Sequence, residues 1–118
     1  MQLDYLFEDC VAQADPDIFF PDYVGINLMF NATFGSWAWG GGHGATLDGE
    51  FRWWRTTWEP PWGWGNVTVM SHEMGHGFGL PHSCWEGSCS PSNPYTNAWD
   101  VMSNAYACLL YTSDAADE

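Results

Sequence analysis

Three histidines and one glutamate carry the chemistry that can be read from this chain. His72 and His76 lie four residues apart, Glu73 follows the first, and His82 comes six residues after the second. Residues four apart on a helix share a face, so two imidazoles at that spacing can aim their nitrogens at one point. Gly79 gives the backbone the freedom to swing His82 round to the same point. Imidazole nitrogen is a preferred zinc donor, and three protein ligands leave a fourth position open. Neutral ligands leave the ion its double charge, which lowers the pKa of a coordinated water to about 7. Glu73 is well placed to take that water's proton. The expectation is a zinc centre of His72, His76 and His82 with Glu73 as its catalytic base.

A helix has to hold these groups. Asn66 suits the N-cap of a helix beginning at Val67, and Gly79-Leu80-Pro81 ends it. At about 100° per residue, Val67, Met70, Met74 and Phe78 fall in one arc of about 80°, opposite His72 and His76. This predicts a helix with an apolar back and a histidine front. Residues 4–14 place Leu6, Cys10 and Ala14 at i, i+4 and i+8, with Tyr5 and Val11 nearby, which predicts an amphipathic helix ended by Asp15-Pro16-Asp17. Residues 23–30 read as a buried strand. Residues 36–42 read as a second strand closing in a glycine turn, and 50–58 as a third. Residues 59–65, EPPWGWG, are expected to be irregular.

Residues 72–82, HEMGHGFGLPH, fit H-E-x-x-H-x-x-G-x-x-H, and in this string the chain resembles the metzincin zinc metallopeptidases. Trp99-Asp100-Val101-Met102-Ser103, whose methionine comes 20 residues after His82, resembles that family's methionine turn. There Met102 would form an adaptable apolar floor under the imidazoles and would not bind metal. The resemblance implies an α+β, zincin-like catalytic domain over residues 1–107, with a mixed twisted sheet and the active-site helix. It implies a zinc-dependent endopeptidase in which Glu73 is general base and later proton donor. The substrate would be a polypeptide lying along an edge strand by strand addition, with its rim within 36–58. The tyrosine that some members carry two residues after the methionine is replaced by Asn104, and Tyr106 is given no anion-stabilising role. A further N-terminal strand and a C-terminal helix, usual in the family, are not found, so the domain reads as truncated at both ends. Two rival readings keep the metal. One is a catalytically silent, zinc-stabilised binding module rich in tryptophan, which has no need of Glu73. The other is a zinc hydrolase of non-peptide amides or esters.

Composition narrows the field. The chain has 118 residues, one domain's length, and is 18% aromatic but only 14% charged. Its net charge is -13 and its only basic side chains are Arg52 and Arg55, which excludes a nucleic-acid or anionic-membrane surface. No apolar run reaches the roughly 18 residues of a membrane span. A monomer is expected. Cys84 and Cys89 either close a local disulfide, the preferred reading, or stay reduced; the disulfide would imply an oxidising compartment and a secreted protein. Cys10 is expected to be a small buried hydrophobe. Asp15, Asp17 and Asp22 are either a Ca2+ site or a solvated acidic loop. His43, among glycines, reads as a loop residue. Arg52 and Arg55 could favour acidic side chains in a substrate. Residues 108–118, CLLYTSDAADE, resemble a translated sequencing adapter and are expected to stand outside the fold.

Overall fold

Asp48 and Gly49 reverse the chain with backbone φ angles of +48° and +79°, and the sheet is organised around that turn. Positive φ at both central residues is the two-residue turn whose twist matches a β-hairpin, and Asp-Gly is among its favoured sequences. The computed structural model describes residues 3–33 and 35–105. Within them lie helices α1 (Leu3–Ala14), α2 (Pro61–Trp64) and α3 (Val67–Gly77), and strands β1 (Gly25–Met29), β2 (Trp39–Leu47) and β3 (Glu50–Glu59). The sheet order is β1-β3-β2. β2 runs antiparallel to β3, with Leu47 opposite Glu50, and β1 runs parallel to β3, from Gly25 beside Arg55 to Met29 beside Glu59. The architecture is a small α+β arrangement on a mixed three-stranded sheet.

Side chains alternate across a strand, so β3 serves two layers. Trp54 and Trp58 face α1 and join Phe7, Val11, Phe20 and Leu28 in the buried core. Their indole N–H groups are not left bare: Trp54 donates to the Ala45 carbonyl at 3.0 Å and Trp58 to the Leu3 carbonyl at 3.2 Å. Arg55, Thr57 and Glu59 belong to the opposite face, which carries α3. A Cβ at Gly40 would collide with the Glu73 carbonyl, so glycine in β2 is what lets α3 lie so close to the sheet.

Several expectations need correction. In α1 the buried line is Phe7 and Val11, while Leu6, Cys10 and Ala14 flank it half-buried and Tyr5 is exposed. Of β1 only Leu28 is buried, because among the described residues this strand lies at a sheet edge. The glycines of 40–42 do not turn; they continue β2 to Leu47, and the reversal waits for Asp48-Gly49. His43 is therefore a strand residue, its ring 4.1 Å from that of Phe7 and its Nδ1 3.2 Å from Asp4. The Pro-Pro segment forms one helical turn, α2, with Pro61 at the start, where no N–H is needed. Residues 108–118 lie outside the described residues, and no helix among those is long and apolar enough to cross a membrane.

Candidate metal centre

α3 begins and ends on local chemistry. The Asn66 side chain accepts from the Thr68 N–H at 3.1 Å, satisfying one of the unpaired donors of the first turn. At the other end Leu80 N–H donates to the Gly75 carbonyl and Gly79 N–H to the His76 carbonyl, with Gly79 at φ +85°. This is the paired closing bond of a helix whose next residue is left-handed, a conformation that costs glycine little. The same turn sends the chain back toward His82.

The apolar arc read as the back of α3 is not its buried face. Val67 and Phe78 are 60% and 57% exposed, and the buried residues are Thr68, Val69, His72, Glu73 and Gly75. The close contacts decide this. β2 meets the helix at Gly40 on the Glu73 side, and the Met102 sulfur occupies the space that a Cβ on Gly75 would fill. The small sheet leaves Met74 and Phe78 at a recess bordered by Val24 and Arg55.

The three histidines converge. His76 Nε2 is 3.2 Å from His72 Nε2 and 3.1 Å from His82 Nε2, and ligating atoms of all three lie within 4.8 Å of one another. His72 Nδ1 is 2.6 Å from the Val101 carbonyl and His76 Nδ1 is 2.8 Å from the Leu80 carbonyl. A carbonyl only accepts, so each Nδ1 carries its proton and each Nε2 presents a lone pair inward. A tetrahedral ion with bonds of 2.0–2.1 Å holds its donors about 3.3 Å apart, close to the spacing seen. The residues thus fit a divalent ion. Burial pushes the His72 and His82 pKa values down, and the neighbouring histidines act in the same direction, favouring the neutral ligand form.

Glu73 is buried beside His72, and burial raises its pKa to about 7, against an opposing hydrogen bond from the Gly40 backbone. It lines a cavity of about 410 Å³ together with Trp37, Trp62, His72 and Tyr95. Met102 is buried, and its carbonyl accepts from Ser83 N–H at 3.0 Å, tying the methionine turn to the residue after His82. Cys84 and Cys89 are joined in a disulfide with Cα atoms 5.3 Å apart; Cys10 is a half-buried free thiol.

Two residues at the centre were missed by sequence reasoning. The Tyr95 hydroxyl lies 3.3 Å from His82 Nε2. Its segment is pinned by Ser103 Oγ, which donates to the Pro94 carbonyl at 3.3 Å and accepts from Asn97 N–H at 2.9 Å. Thr96 Oγ1 in turn accepts from Trp85 N–H, inside the disulfide loop, at 3.0 Å. No periodicity marks such a residue. The other is Glu59, fully buried, with neither carboxyl oxygen hydrogen-bonded among the described residues. Burial first, then the Glu73 charge, raises its pKa to about 7. It is the last residue of β3, whereas the sequence pattern ends that strand at 58 and places Glu59 in the irregular stretch 59–65, where no pattern signals burial.

Other candidates stay apart from the site. Of the two readings of Asp15, Asp17 and Asp22, the calcium site finds no support, since they form no cluster of three converging ligands among the described residues. His43 is likewise not in the cluster. Arg52 is engaged by Glu50 through two hydrogen bonds of 2.6 and 2.8 Å, and the Arg55 guanidinium sits 4.6 Å from the centre of the Phe78 ring. No family model, curated protein or solved structure matches the chain.

Proposed function

We propose that the chain is a zinc-dependent endopeptidase with a zincin-like arrangement of its active-site helix, edge strand and methionine turn. The observation that carries this reading is the convergence of three imidazole Nε2 atoms beside a buried carboxyl on the wall of an open cavity. His72, His76 and His82 would hold the ion; their donor set suits Zn2+. When bound, the ion supplies Lewis acidity for a peptide carbonyl and for water. Glu73 takes a proton from the water that attacks the carbonyl carbon. As the C–N bond breaks, it delivers that proton to the leaving amine nitrogen. Burial, which raises its pKa in the metal-free site, favours its holding the proton it must pass on.

β2 supports a polypeptide substrate. It is a sheet edge among the described residues, it approaches α3 at Gly40, and Ser36, Trp37 and Ala38 just before it line the cavity. An extended peptide can add to such an edge through main-chain hydrogen bonds. The Cys84–Cys89 disulfide supports an oxidising, extracellular setting.

The test compares Glu73→Gln with His76→Ala by zinc content and peptide hydrolysis. Glu73→Gln should keep its zinc and lose about 10²–10⁴-fold in cleavage rate, the usual worth of general acid–base catalysis. His76→Ala should lose metal and activity together. Cleavage at the wild-type rate by Glu73→Gln would refute the mechanism. Zinc binding without any cleavage by the wild type would favour the binding-module reading, and cleavage restricted to non-peptide amides or esters the alternative hydrolase.

A further inference from the structure

Beyond the end of α3, no element among the described residues covers the face of the sheet that carries that helix, and what stands on it is aromatic. Phe51 and Trp53 are alternate residues of β3, so they point to one side, and they are 70% and 71% exposed. Other large apolar side chains of the chain are similarly exposed, but these two rings stand side by side on one strand face. The strand beside them is shaped to receive the indole. Gly44 lies opposite Trp53 and Gly42 opposite Arg55. A Cβ at Gly42 would strike the pyrrole end of the Trp53 ring, and one at Gly44 would stand 3.2 Å from its benzo edge. The indole therefore lies flat across two glycines, one face on the backbone and the other to solvent. The Phe51 ring approaches the same glycine, 3.5 Å from that Cβ position, which makes the shelf continuous. At its inner end Arg55 rests on the Phe78 ring, with no carboxylate in ion-pair reach among the described residues.

Charge selects the occupant. With a net charge of -13 and only two basic residues, the chain repels nucleic acid, acidic glycans and a second copy of itself. A neutral ligand escapes this repulsion. Flat rings two residues apart on a strand, spaced about 6.7 Å, suit a ligand with flat C–H faces and hydroxyl edges. We propose that Phe51 and Trp53, on their bed of Gly42 and Gly44, form a stacking subsite for a neutral polysaccharide, with Arg55 donating hydrogen bonds to its hydroxyls. This site is independent of the metal centre and would hold the protein to a glycan matrix.

The test is retardation of the full chain in native gels containing a soluble neutral β-1,4- or β-1,3-glucan, with alginate as the acidic control, alongside tryptophan fluorescence titration. The wild type should be retarded by a neutral glucan and not by alginate. Trp53→Ala should bind about ten-fold more weakly or not at all, and its fold should persist because that side chain is not in the core. Gly42→Ala keeps both rings but denies the indole its bed, and should also weaken binding. His76→Ala should bind glucan as the wild type does, which separates this site from the metal centre. No retardation by either neutral glucan, equal retardation of Trp53→Ala, or a wild-type dimer that Trp53→Ala dissolves would each overturn the proposal.

Discussion

Glu59 and Glu73 set two carboxyl groups near each other in one buried corner, and the two are not alike. Glu73 opens on the cavity and has the Gly40 backbone as a donor, whereas Glu59 has no hydrogen-bond partner among the described residues. An ionised carboxylate without a donor in such a place is costly, so Glu59 keeps its proton up to about pH 7. The consequence for stability has a definite sign. The unfolded chain ionises near the ordinary value of 4.5, while the folded chain resists. Stability from this residue is complete below that value and is lost as pH rises through 7. A shift of this size is worth on the order of 3 kcal/mol. In urea unfolding of the metal-free protein between pH 5 and pH 8.5, Glu59 and Glu73 therefore contribute a drop in stability, set against a rise from His72 and His82, whose pKa values burial lowers. Glu59→Gln, which mimics the neutral acid, should lessen that drop, leaving the part due to Glu73. An unchanged drop in Glu59→Gln would show that the corner takes up charge without strain.

At the scale of elements, the contact between β2 and α3 is where an absent side chain matters most. Gly40→Ala would press a methyl group into the Glu73 carbonyl, and backbone cannot swing aside as a flexible side chain can. Overpacking of this kind costs about 1–3 kcal/mol. Because the displaced helix carries two of the three converging histidines, retention of added zinc after gel filtration should fall as well, although position 40 offers no donor side chain. Stability and zinc content equal to the wild type would mean that the helix seat is looser than the structure describes. The same contact explains what the sequence could and could not reveal. The histidine spacing, the Asn66 cap and the Gly79 stop are local rules, and each corresponds to an observed feature of α3. The burial of α3 is not local. Its apolar arc read as the inner face, but Gly40 and Met102, from distant segments, press on the histidine side instead. In β2 the run of glycines imitates a turn. The informative pair was Asp48-Gly49, at the spacing that a hairpin needs. Tyr95 belongs to a loop held by Ser103 and Thr96, and no periodicity reports such a placement.

The molecule as a whole divides into a part that packs by itself and a part that the centre gathers. The buried core joins α1, β1 and β3 through Phe7, Val11, Leu28, Trp54 and Trp58, with Phe20 from the turn between α1 and β1, and none of its residues belongs to α3 or to the segment after it. That second part rests on the Gly40 contact, on Val69 and Met102, on the disulfide, and on three histidines whose ligating nitrogens converge on one point. Binding an ion only in the folded state stabilises it by about 4 kcal/mol at a thousand times the dissociation constant. Removing the ion should not unfold the chain evenly, because local opening follows local support. Hydrogen exchange in the presence of a strong chelator should accelerate across α3 and residues 80–104 while the amides of β3 around Trp54 keep their protection. Zinc added back should reverse the change, and in His76→Ala neither step should matter. The effect should also fade in acid, as protons compete for the three imidazoles. Uniform acceleration in core and helix alike would instead show a single cooperative unit, with the metal centre as part of its foundation.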